Sequence, residues 1–237
     1  MKAIYSRELN SYYHNMTAYI FAAALLILVG LAAMVYNING AIANFEYVLA
    51  SISLGFVIII PLLTMRSITE ERRQKTDQLL YSLPISLSKI VIGKFLALLT
   101  VFAFPLVVVA AYPLVFKQYG DVYLRTSYGS LFAFFLMGAA WIAVGMFISS
   151  LTEKLAASAG FTAVIILANY YCCNVADSMT GNVGEFLSKV FEKISLFERF
   201  YVFVNGIFDI TGIIFFLTVT ALFIFLTIQS MEKRRYS

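Results

Sequence analysis

Six long apolar runs alternate with short polar stretches along the chain: Thr17 to Tyr36, Val48 to Met65, Ile90 to Phe116, Ser127 to Ser150, Ala156 to Ala176 and Gly212 to Gln229. Runs of this length, at 1.5 Å of rise per residue, cross the roughly 30 Å hydrocarbon core as helices, and a helix satisfies its own backbone groups there. The expected fold class is therefore an all-α integral membrane protein with six transmembrane helices. Pro61 predicts a kink late in the second run. Gly138, Ala139, Ala140, Ala143 and Gly145 predict close helix approach in the fourth.

The polar stretches between the runs carry shorter patterns. Met1 to Asn15 mixes Ile4, Tyr5, Leu9, Tyr12 and Tyr13 with Lys2, Arg7, Glu8 and His14, which suits a helix lying flat in the headgroup layer. Val183, Phe186, Leu187, Val190, Phe191 and Ile194 recur at helical spacing, and Glu198 to Phe203 adds a second short aromatic segment. Two short helices dipping into the outer leaflet are expected there, with Phe186, Leu187, Phe191, Glu198, Arg199 and Phe200 forming an outer gate. Met65 to Ser86 is different, since Glu70, Glu71, Arg72, Arg73, Lys75 and Asp77 fall together in a chain that is only 13% charged. Ser67 and Glu70 are spaced to cap a helix start reciprocally, and Thr76 can open a further turn. Leu79, Leu80 and Leu83 supply an apolar side, and Pro84 supplies a stop. A mixed-sign surface of this kind suits a protein groove better than the inner leaflet, which attracts basic residues alone.

Composition agrees with the pattern. The chain is 61% hydrophobic, with a mean hydropathy of +0.86. Once the spans are subtracted, no remaining segment of the 237 residues is long enough to bury a core, so residues 1–237 read as a single transmembrane domain. The net charge of +4 is spread over span ends and not gathered in a stripe, which argues against nucleic acid. Lys2, Arg7, Arg66, Arg72, Arg73, Lys75, Lys89, Lys94, Lys154, Lys233, Arg234 and Arg235 fall on one side of a six-span layout. Lys117, Arg125, Lys189, Lys193 and Arg199 fall on the other. The first side, with both termini, is expected to be cytoplasmic, and the protein a multi-pass component of the cell membrane. Lys94, one turn into the third span, is expected to snorkel to the interface. Cys172 and Cys173 are adjacent in an apolar run and read as small buried hydrophobes.

Candidate chemistry is sparse. His14 is the only histidine, so a metal site of the usual ligands cannot be assembled, and no nucleophile and base pair stands out. The deep polar groups Ser51, Ser53, Thr100, Thr162, Asn169, Thr218 and Thr220 are neutral, and most can bond back to their own helix. An ion-coupled engine within the bilayer would need a charge there. The energy for any transport is expected to enter through the charged stretch instead.

Three segments carry a family resemblance: MRSITEERRQKTDQLLYSLPISLSKIVIGK from Met65 to Lys94, SSLTEKLAASAG from Ser149 to Gly160, and the run from Ser195 to Arg235. With the six-span layout, the chain resembles the permease subunit of type-2 ATP-binding-cassette exporters, near the gliding-motility and copper-enzyme-maturation permeases. Lys75 and Gln78 depart from that pattern, where glycine and an acidic residue are common. The resemblance implies a non-catalytic subunit docked on a cytosolic ATP-binding-cassette ATPase through Glu70, Glu71, Arg72, Arg73, Thr76, Leu79, Leu80 and Leu83, with Glu153 and Lys154 in a second cytoplasmic turn. ATP and magnesium would bind to the partner, since the chain has no phosphate-loop motif and no cofactor of its own is expected. It also implies a second permease chain, expected to meet this one through the second and fifth spans. Ser51, Ser53, Asn169 and Tyr170 would then lie near the substrate path, with membrane lipid around the pair. The alternative is a six-span channel or scaffold that docks another cytosolic partner.

Overall fold

The computed structural model describes residues 2–40, 44–74, 86–118, 120, 122–178 and 193–235. The described residues form α1 (Lys2–His14), α2 (Thr17–Ala33), α3 (Glu46–Ser53), α4 (Phe56–Thr64), α5 (Thr69–Arg73), α6 (Leu87–Val109), α7 (Tyr112–Phe116), α8 (Leu124–Leu151), α9 (Leu155–Ser178), α10 (Leu196–Val204) and α11 (Ile210–Arg235). α2 continues through a wider π-type turn, Met34–Asn39. Among the described residues five helices are long and apolar enough to span a membrane: α2 with its extension, α6 with α7, α8, α9 and α11. The bent pair α3 and α4 passes the same test together, which makes six if the pair is one span. The protein is an all-α, multi-pass membrane protein.

The α3–α4 pair breaks where the proline rule did not place it. Pro61 is carried inside α4, and the 66° bend falls at Leu54–Gly55. The hydroxyls of Ser51 and Ser53 donate to the carbonyls of Val48 and Ala50 at 2.8 and 2.7 Å, and the Gly55 amide takes the tighter three-residue bond to Ile52. Serines that bond back to helix carbonyls bend a helix, and the glycine beside them weakens it further, which accounts for a break at this point. In the same way Thr100, Thr162, Thr218 and Thr220 each donate to a carbonyl four residues back, as expected of neutral groups in an apolar span.

The molecule is built around α8, whose apolar stretch is 78% buried, against 17% to 44% for the other long helices. It packs against α3, α4, α6, α9, α10 and α11. The small residues expected to permit this do so. A Cβ at Gly138 would lie 2.3 Å from the Phe102 ring, and one at Gly145 would lie 2.4 Å from Thr64 Oγ1. Phe102 stacks on Phe134 and Phe135 and meets Phe21 and Phe56 edge-on, filling the space between α2, α4, α6 and α8. α8 and α11 run parallel, with Ser150 near Ser230 and Glu153 near Arg234 at one end. α5 and α1 lie at that same end, because Thr69 bonds Ser149 and Arg7 meets Glu71.

Candidate functional site

At that end of the molecule polar side chains from three elements, α1, α6 and α8, converge on α5. Its first turn is not capped by Ser67, as the spacing to Glu70 suggested, and the residue before the helix, Ile68, supplies no side-chain cap. The cap comes from α8. The amides of Ile68 and Thr69 donate to Ser149 Oγ at 3.1 and 3.0 Å, and Thr69 Oγ1 donates to the Ser149 carbonyl at 3.0 Å. Ser149 and Thr69 are fully buried, so these orphan donors have no water to replace their partner.

Behind α5 stands Lys94 of α6. It does not snorkel outward, for its side chain is only 2% exposed. Its ammonium donates to the Ser67 carbonyl at 2.9 Å and to Glu71 Oε1 at 2.8 Å, and lies 3.2 Å from Glu8 Oε1. Three donors thus meet three acceptors. α1 closes the arrangement and is docked on α6, with Ile4 against Gly93 and the Tyr5 hydroxyl 3.0 Å from Thr100 Oγ1. Arg7 joins its neighbour Glu8 at 2.7 Å and Glu71 at 3.4 Å. Two cations and two carboxylates therefore balance at the junction of α1, α5 and α6. The hydrogen bond to Glu8 raises the pKa of Arg7 above its ordinary value against the opposing effect of burial, and the charges of Glu8 and Glu71 add to the rise. Burial raises that of Tyr12 beside the same carboxylates.

The residues expected on a docking face divide accordingly. Glu71 turns inward to Lys94, and Arg72 is buried. Glu70 and Arg73 face outward as a pair at 2.8 Å, with the Gln74 amide also on Glu70 at 2.8 Å. They border a polar cavity of about 300 Å³ reaching to Arg66, Asn15 and Leu155. Glu153, in the second turn, pairs with Arg234 of α11. Lys154 stands beside it, exposed. Thr76, Leu79, Leu80 and Leu83 lie outside the described residues.

Farther into the molecule, Ser51 and Tyr170 line one cavity of about 490 Å³ together with Tyr36, Tyr47 and Tyr201. Ser53 is buried. Asn169 serves another purpose, its Oδ1 accepting the Leu196 amide at 3.1 Å and so fixing the start of α10 on α9. That start is also capped by Ser195 Oγ, which accepts the Glu198 amide at 3.2 Å. In α10, Phe200 is fully buried against Phe134 of α8, and Arg199 reaches Asp209 at 3.7 Å and the face of Phe215. Phe186, Leu187 and Phe191 lie outside the described residues.

Sequence reasoning missed Ser149, Glu8 and Arg7 as partners of α5. The signal was there in part, as Lys94 is the one cation within an apolar run and a buried cation needs an acidic partner.

The fold and this end of it define a polytopic α-helical membrane protein with a short polar helix locked between its spans. The sequence profile of the ABC-2 family transporter proteins matches residues 8–231. The chain belongs to that family and is the transmembrane subunit of an ATP-binding-cassette transporter. No curated protein sequence matches it.

Proposed function

We propose that the chain is the permease subunit of an ATP-driven exporter and that α5 is where a separate cytosolic ATPase engages it. The observation that carries this is the asymmetry of α5. Its inner side is held by Ser149 of α8, Lys94 of α6 and the Arg7–Glu8 pair of α1, while Glu70, Arg73 and Gln74 face outward. A push on the outward side would move the central helix, the third span and α1 together, which an independent surface loop could not do. Mixed charge on the outward side supplies register for a complementary groove. The apolar contact would come from Leu79, Leu80 and Leu83 in the segment that follows.

In this reading the α5 end and both termini are cytoplasmic, residues 1–237 act as one permease domain in the cell membrane, and ATP and magnesium bind to the partner. Two permease chains pair through the second and fifth spans. The tyrosine-lined cavity at Ser51 and Tyr170 belongs to the substrate path, and Phe186, Leu187, Phe191 and α10 close its outer end.

The test is copurification of the complex with Glu70→Lys and Arg73→Glu separately and together. Each single reversal should release the ATPase or uncouple ATP hydrolysis from transport while leaving the spans folded. Full ATPase recovery and unchanged transport in both single variants would overturn the reading. Stable recovery of a partner without a phosphate-loop motif would favour a channel or scaffold instead.

A further inference from the structure

A cavity at the end of the molecule opposite α5 lies apart from the tyrosine-lined cavity of the transport reading. It measures about 870 Å³, within the range of a small-molecule site, and opens between the first turns of α8 and the link from α10 to α11. Phe203, Ile207 and Phe208 form one wall. That wall is fixed, because Ser130 Oγ donates to the Phe203 carbonyl at 3.0 Å and the Ile207 amide donates to the Val202 carbonyl at 3.2 Å. Gly206, at φ 83°, turns the chain between them. The other wall is one face of α8, Arg125, Tyr128, Gly129 and Phe132, at i, i+3, i+4 and i+7. A second apolar groove of about 280 Å³, against α6, shares Tyr128 and Phe132 with the first. Those two side chains form a ridge between two slots, and the Tyr128 hydroxyl anchors it by donating to the Ala110 carbonyl at 3.2 Å.

The polarity of this face is ordered along α8. Arg125 is exposed one residue into α8 and makes no ion pair among the described residues, while Phe132 lies roughly 10 Å deeper by helical rise. We propose that this double slot binds one anionic phospholipid, with its phosphate at Arg125 and its two acyl chains on either side of the Tyr128–Phe132 ridge. A cation at the rim of the larger slot, with an apolar groove across the ridge, matches the charge order of such a lipid.

Native mass spectrometry of the full chain in detergent, titrated with phosphatidylglycerol or phosphatidylcholine of identical chains, tests this without reference to transport or orientation. Phosphatidylglycerol should bind about fivefold more tightly, the factor expected for one arginine near an anionic headgroup. Arg125→Gln should equalise the two lipids. Gly129→Leu should weaken both, since an added Cβ there meets nothing within 4 Å and the side chain enters the slot. Ile207→Trp, filling the same cavity from the opposite wall, should repeat that loss. Gly160→Leu on α9, equally unobstructed, should change neither. The proposal is overturned by equal binding of the two lipids to the wild type, by a preference that survives Arg125→Gln, or by a Gly160→Leu loss matching that of Gly129→Leu.

Discussion

Replacing Lys94 by methionine keeps the apolar stem and its approximate volume but removes the ammonium from between Glu8 and Glu71. Both carboxylates lose a partner, at 3.2 and 2.8 Å, in a place where the lysine side chain is 2% exposed. Breaking a buried ion pair by deleting one partner costs about 3 to 5 kcal/mol, because the remaining charge stays desolvated. Here the Glu8 and Glu71 side chains keep 11% and 17% exposure and Arg7 still contacts both, so about 2 to 4 kcal/mol is the expected loss. For a chain of this size that corresponds to a fall in Tm of roughly 5 to 15 °C. The assay is thermal unfolding in detergent, followed by the fluorescence of Trp141, the only tryptophan, which is buried against Phe197. The double variant Lys94→Met with Glu71→Gln should recover part of the loss, and adding Glu8→Gln should recover more, since neutral groups no longer need the cation. A Tm for Lys94→Met within about 2 °C of the wild type would refute the reasoning, as would double and triple variants less stable than the single one.

Ser149→Ala should leave the buried amides of Ile68 and Thr69 without their acceptor. At about 1 to 3 kcal/mol per unsatisfied donor, their hydrogen exchange should accelerate by more than tenfold while exchange in the middle of α8 stays unchanged. Gly145→Val drives a Cβ to within 2.4 Å of Thr64 Oγ1, and the resulting separation of α4 from α8 should cost about 1 to 3 kcal/mol, read as a lower Tm. Asn169→Leu removes the acceptor of the Leu196 amide and should loosen α10, detected as faster labelling of a cysteine placed at Phe200. Ser51→Phe should fill the tyrosine-lined cavity and reduce substrate-stimulated ATP hydrolysis of the reconstituted complex without lowering its basal rate.

The spans were legible because their lengths and apolarity follow from the thickness of the bilayer, a constraint that acts on each segment by itself. Close helix approach at the fourth span was legible too, since Gly138 and Gly145 allow Phe102 and Thr64 to approach its backbone. What the sequence alone could not reveal depends on which helices become neighbours. Pro61 gave a local reason to bend α4, yet the bend falls six residues earlier, at Gly55 beside Ser51 and Ser53. Ser67 and Glu70 formed a plausible cap, but Ser149, 80 residues on from Thr69, reached the same amides first. Lys94 read as an interfacial lysine because Glu8 lies in a different element, and only the docking of α1 on α6 brings the two within 3.2 Å. In the candidate docking stretch the charges were legible, but their division into inward Glu71 and outward Glu70 and Arg73 was not.

The central claim is that the outward side of α5 meets an ATPase, and a photo-crosslinking residue at Gln74 tests it most directly. In native membranes Gln74 should crosslink to one partner whose peptides contain a phosphate-loop motif, and the yield should fall when Glu70 and Arg73 are reversed in charge. The same probe at Arg125, about 40 Å away along the 28-residue α8, should give no such product. Absence of an ATPase product at Gln74, or an equal yield at Arg125, would contradict the account.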